Sequence, residues 1–213
     1  RATARDPALG RGLAEVAEET ARRHTDAFGD SPVLRTFLEV GGEYAYRLRG
    51  EAHAWTGDDR MLERLWPNAL AALAWIDESG DLDGDGFVEY RRRSKLGLLN
   101  QGWKDSGDAI RHSDGKPAEG PIALAEVQGY VYDAKCRVAE LAREVWLDRA
   151  LAERLEREAE ELRERFNEAF WMEDEGFFAA ALDADKQQVR TLMSNPGHGL
   201  YSGIVDEDKA LPL

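Results

Sequence analysis

Cysteine is nearly missing from this chain: Cys136 stands alone in 213 residues. No disulfide can form within the chain, and a reducing, cytoplasmic setting is expected. Long apolar runs are missing too. No segment approaches the ~18 consecutive apolar residues of a membrane-spanning helix, so no membrane partner is expected. Positive charge is short, with 28 Lys and Arg against 42 Asp and Glu and a net charge of −14. Phosphate backbones would be repelled, which excludes nucleic acid. Histidine is sparse, and His24, His53, His112 and His198 show no metal-ligand spacing. Neither a phosphate-cradling Gly-rich loop, a G-x-S-x-G element nor a nucleotide fingerprint is present. The chain opens on Arg1 without an initiator Met or a charged–apolar leader pattern, and is expected to belong to a longer polypeptide.

What the chain does have is helical periodicity. Hydrophobic residues make up 43%, enough for a globular core. Leu34, Phe37, Leu38, Gly41, Tyr44 and Leu48 share one helix face. Leu62, Leu65, Trp66, Ala69, Leu70, Leu73 and Ile76 form the next stripe, where Pro67 predicts a kink or a restart. The clearest stripe is Val127, Val131, Ala134, Val138, Leu141 and Val145. After a break at Leu147-Asp148 it resumes in Leu151, Leu155, Leu162, Phe166 and Phe170. The Glu/Arg run "ERLEREAEELRER" reads as the solvated face of that last helix. Trp66, Trp75, Trp146 and Trp171 fall at apolar helix positions or helix ends and read as core.

Two irregular regions separate the helices. Residues 77–121 are rich in Gly, Asp and Ser; residues 171–197 predict a short hairpin from Phe177, Phe178 and Val189, turning near Asp183 to Lys186. The fold class is all-α, in antiparallel helical hairpins with long loops. No ankyrin or TPR consensus repeat is visible.

The chemistry-bearing residues lie mainly in "GLLNQGWKDSGDAI", residues 97–110. Asn100, Gln101, Trp103, Lys104, Asp105 and Asp108 combine an aromatic platform, amides and charges, the set a neutral sugar needs. Asp105 has two readings. It is a proton-donating acid beside Trp103, or the cap of a helix starting near Ser106. Glu126, Tyr130 and Asp133 share a polar face opposite the Val stripe. In "DLDGDGFVEY", Asp81, Asp83, Asp85 and Gly86 match the first half of a calcium loop. Arg92 occupies the twelfth position, where a Glu is required, so a full EF-hand is excluded. A partial calcium site, with Glu89 as a further ligand, and a plain Asp/Gly turn leading into an extended segment at Phe87 to Tyr90 both remain.

"LNQGWKDSGDAI", "EGPIALAEVQGYVYDAK", "SNPGHGLYSGI" and the upstream "RLWPNALAALAWIDESGDLDGDGFVEY" together resemble the bacterial amylo-α-1,6-glucosidase (glycogen-debranching) type of glycoside hydrolase. The resemblance runs from about residue 58 to residue 206. It implies an (α/α)6 toroid of which residues 1–213, read as one helical domain, supply about half, since a complete ring takes about 350–450 residues. It also implies an inverting hydrolysis of α-linked glucosides at the α-1,6 branch of a glycogen-like glucan. Asp105 would be the general acid, Trp103 a sugar platform, and Asn100, Gln101, Lys104, Asp108, Glu126, Gln128, Tyr130 and His198 substrate neighbours. The catalytic base would lie outside this chain. His198 also has a local reading, bonding backbone in the Asn195-Pro196-Gly197 turn. No metal cofactor is implied. Half a ring would expose apolar edges and self-associate. The alternative is a non-catalytic glycan-binding or assembly module of the same fold.

Overall fold

The computed structural model describes residues 59–92 and 97–210. The stripe from Leu34 to Leu48, with His24 and His53, lies outside the described residues. Contacts divide the chain into two compact units, residues 1–74 and 75–213.

In the first unit, helix α1 spans Asp59–Trp75 and ends at the boundary. Its Leu62 and Leu73 are buried. Pro67 does not break it; the helix runs through. A mid-helix Pro removes one backbone bond and costs about 3 kcal/mol. The Leu, Ala, Glu and Arg residues on either side are strong helix formers and carry the helix past it.

The second unit begins with a π-helical turn, Ile76–Gly80. An Asp/Gly turn follows, and the chain then extends. The Glu89 amide donates to the Gly80 carbonyl (2.8 Å), and Tyr90 exchanges both backbone bonds with Ile122 (3.0 and 2.9 Å). Strand β1, Ala123–Leu124, leads directly into helix α2, Ala125–Glu144.

Helix α3, Arg149–Ala169, packs on α2 as a helical hairpin. The expected break between them is real. Leu147 turns the chain with φ 56°, and the Asp148 carboxylate caps α3 by accepting from the Leu151 amide at 3.0 Å. Helix α3 buries Ala152, Leu155, Ala159, Leu162 and Phe166, one stripe at helical spacing. Helix α2 differs: besides Val131, Val138 and Ala142 it buries Glu126, Gln128, Tyr130, Asp133 and Lys135. Its polar face therefore points into protein, where every polar group needs a partner.

The expected single hairpin resolves into two turns. Strands β2 (Trp171–Met172) and β3 (Phe177–Phe178) pair across residues 173–176. Strand β4, Ala181–Leu182, pairs antiparallel with β1. The chain then turns at Asp183 to Gln187, with Lys186 at φ 59°, and Val189 bonds back to Ala180 and Ala181 (3.0 and 2.8 Å). Phe166 stacks between Phe170 and Phe178 at centroid distances of 4.8 and 5.1 Å, with Phe87 edge-on to Phe170 at 5.3 Å. Trp66, Trp75, Trp146 and Trp171 are each half-buried. Two short helices, α4 (Gly197–Ser202) and α5 (Glu207–Ala210), close the unit. The described residues are helix-rich, with four two-residue strands among them. Among the described residues no helix is long and apolar enough to cross a membrane.

Candidate sugar site

The segment between Gly97 and Ile110 contains no helix. Its last part is a turn in which the Ala109 amide donates to the Ser106 carbonyl at 2.9 Å. The helix that Asp105 was to cap is not formed, because Ser106, Gly107 and Asp108 favour turn geometry. Asp105 is exposed. An acid held out of water by Trp103 is therefore not what this chain presents.

Two contacts fix the segment. Asn100 is buried; it accepts from the Tyr90 hydroxyl (2.9 Å) and donates to the Ser106 carbonyl (2.6 Å), tying both ends of the loop to one side chain. Gly102 lies flat on the start of α2. A Cβ there would sit 2.2 Å from Leu124 Cδ1 and 3.0 Å from Glu126 Oε1. Close backbone approach is why glycine stands at this position.

The next residue, Trp103, is 60% exposed. Its indole lies 6.0 Å from the His198 ring, which α4 brings in. His198 Nδ1 is 3.0 Å from the Tyr130 hydroxyl on α2, the two rings meeting edge-to-face at 5.5 Å. Beneath the loop, Glu126 is fully buried and Asn195 Nδ2 donates to its Oε1 at 2.7 Å. Burial pushes the Glu126 carboxyl up to about 7, against the Asn195 hydrogen bond, the Lys104 charge and the Trp103 backbone N–H. Burial, and then the Glu126 charge, also raise the Tyr90 hydroxyl above the ordinary phenol range.

Of the ten residues singled out in the sequence, the structure brings Trp103, Lys104, Glu126, Tyr130 and His198 together. Asn100 is a loop anchor. Gln101 is half-buried and Asp108 exposed, the latter's carbonyl accepting from Arg111 Nε at 3.2 Å. Gln128 does not face a sugar. It is fully buried, its amide donating to the Val88 and Leu124 carbonyls (2.8 and 3.1 Å) and accepting from the Val88 amide (2.9 Å). It secures the extended segment instead. Asn195 and Tyr90 were missed. Asn195 stood in the "SNPGHG" motif but read as a turn residue, and nothing in one sequence signals its reach to Glu126.

The acidic turn has its own arrangement. Asp81 organises it by accepting from the amides of Asp83, Gly84 and Gly86 (3.3, 2.6 and 2.8 Å). Carboxylate oxygens of Asp81, Asp83 and Glu89 lie within 4.8 Å of one another. Lys186 Nζ bonds Asp83 (2.7 Å), Asp85 (2.6 Å) and Glu89. Burial works against the Lys186 charge, yet the three carboxylates outweigh it and hold its pKa above the ordinary lysine value.

No protein-family model matches the chain, and no curated protein matches it. Among solved structures it is similar to a GH78 family rhamnosidase from Bacillus sp. GL1, at a TM-score of 0.58 and 21% identity over 79% of this chain. The match spans 16% of that rhamnosidase's length. At this identity the likeness is one of fold.

Proposed function

We propose that this chain belongs to the catalytic module of a glycoside hydrolase and forms one wall of its sugar site. Trp103 carries the reading: its indole is 60% exposed on a backbone pinned at Asn100 and Gly102, with the His198 ring 6.0 Å away. An exposed, immobilised indole offers an apolar face for a sugar ring at little entropic cost, and neighbouring polar groups fix its hydroxyls. His198 and Lys104, with Gln101 and Asp108 along the same loop, serve that purpose, and buried Tyr130 supports the site by holding His198 through its hydroxyl.

Asp105 is the general acid in this reading, and the base comes from outside the chain, set for inversion. The motifs of the 97–110 loop favour an α-1,6-linked, glycogen-like glucan, handled in the cytoplasm without a metal. The structural neighbour is a rhamnosidase, so a rhamnoside is the competing substrate. Exposed Leu98, Leu99, Leu192 and Leu200 supply apolar surface for self-association. The exposure of Asp105 favours a second reading, a glycan-binding module without turnover.

Calorimetric titration of the chain with an α-1,6-linked glucose oligosaccharide, a maltooligosaccharide and a rhamnoside tests the proposal. The α-1,6 ligand should bind tightest. A tighter rhamnoside would move the substrate class, and no binding by any of the three would contradict the site.

A further inference from the structure

Glu126 and Asn195 are both fully buried and share one hydrogen bond. The second oxygen of each, Glu126 Oε2 and Asn195 Oδ1, is buried without a hydrogen-bond partner. Both are acceptors when the acid is ionised, and orphaned buried acceptors are costly. A single proton on Glu126 turns Oε2 into a donor and offers Asn195 Oδ1 the bond it lacks.

We infer that Glu126 works as a neutral carboxylic acid joined to the Asn195 amide by reciprocal hydrogen bonds, and that this pair positions the two segments carrying Trp103 and His198. The inference rests on the proposed sugar site. Its chemistry is one proton exchanged with solvent; no other bond is made or broken.

The connections on either side are direct. The Gly102 backbone packs against Glu126 Oε1, and Trp103 follows it in the chain. Asn195 lies three residues before His198, in one turn closed by the Gly197 amide to Ser194 and the His198 amide to Asn195 (both 3.1 Å). The charged or titratable groups around Glu126 are Lys104 from the loop and Tyr90 from the extended segment. Lys104 opposes protonation, burial outweighs it, and Tyr90 stays neutral where Glu126 titrates. Ionising Glu126 would leave Glu126 Oε2 and Asn195 Oδ1 as two buried acceptors with no donor between them and loosen both segments. His198, bonded to the Tyr130 hydroxyl, completes the site. It stays in the test variant, so its contribution cancels.

Carbon-13 and indole N–H NMR of the full chain, from about pH 5 to about pH 9, tests this. The Glu126 carboxyl carbon should titrate with a midpoint near 7, and the Trp103 indole resonance should follow it. Glu126→Gln preserves both hydrogen bonds as an amide–amide pair without a charge. Its Trp103 resonance should lose that step, and its affinity for an α-1,6-linked glucose oligosaccharide should stay flat where the wild type weakens at least threefold. Should Glu126→Gln fail to fold, Asn195→Ala must move the Glu126 midpoint. A carboxyl ionised throughout, or a Trp103 step unchanged in Glu126→Gln, would overturn the inference. Absence of sugar binding with the NMR steps intact would instead remove the sugar reading and leave the positioning pair standing.

Discussion

Lys186 sets its ammonium between Asp83 and Asp85, 2.7 and 2.6 Å from their carboxylates, and also bonds buried Glu89. A cation from the 183–187 turn thus holds the acidic turn that, in the sequence, suggested calcium. Lys186→Met removes the charge, keeps the stem and leaves the Glu89 carboxylate uncompensated. Removing one partner of a buried pair costs ~3–5 kcal/mol, and partial exposure of Lys186 and Asp83 points to the lower end. Urea unfolding should show that loss. Calcium should raise the melting temperature of the variant, whose Asp83 and Glu89, clustered with Asp81, would be relieved of the ammonium, more than that of the wild type.

Glu126 makes stability depend on pH in a known direction. Its folded pKa, about 7, lies above its ordinary value of 4.5. Below pH 4.5 the acid is neutral in both states and costs nothing. As pH rises toward 7 only the unfolded chain releases the proton, so stability falls, by roughly 3 kcal/mol in all at 1.36 kcal/mol per pKa unit. Thermal melts of the wild type and Glu126→Gln should converge at acid pH and diverge toward neutrality, the variant being the more stable. Parallel curves would show that Glu126 ionises as freely in the fold as in water.

Gly102 has no room for a side chain. Gly102→Ala would place a methyl 2.2 Å from Leu124 Cδ1, and overpacking of this kind typically costs about 1–3 kcal/mol. The loop must lift from α2, so glycan affinity should fall together with the melting temperature. A variant as stable and as tight as the wild type would mean the loop is not seated there.

The helical hairpin was legible because α3 presents one apolar stripe to protein and a charged face to water. The periodicity of α2 was equally legible. Glu126, Tyr130 and Asp133 were readable as one inward polar face, but the long-range partners that bury Glu126 and Gln128, Asn195 and Val88, were not. The continuous passage of α1 through Pro67 went against local propensity. The hairpin divided in two because Ala181 and Leu182 pair with residues 123 and 124, a partner that no local pattern reveals. Trp103 and His198 were both singled out, whereas the Gln128 assignment failed because an amide's partner cannot be read from its spacing.

The acid role of Asp105 has a direct kinetic test in a protein that carries the matching base. Asp105→Asn cannot donate a proton, and activity on an unactivated α-glucoside should fall by about 10²–10⁴-fold. A substrate with a low-pKa leaving group should recover much of that loss. The melting temperature should barely move, since the residue is exposed. Full activity in the variant would leave only the binding-module reading.

The sugar seat itself is tested most directly by tryptophan fluorescence during titration with an α-1,6-linked glucose oligosaccharide, wild type against Trp103→Ala. Trp103 is 60% exposed, so stacking a sugar on it should shift its emission, and the Trp103→Ala variant separates that change from the emission of the other tryptophans. The wild type should give a saturable change. Trp103→Ala should lose it and bind at least tenfold more weakly, about 1.4 kcal/mol, with its melting temperature unchanged. An unaltered response in Trp103→Ala, or none in the wild type, would contradict a sugar site on this loop.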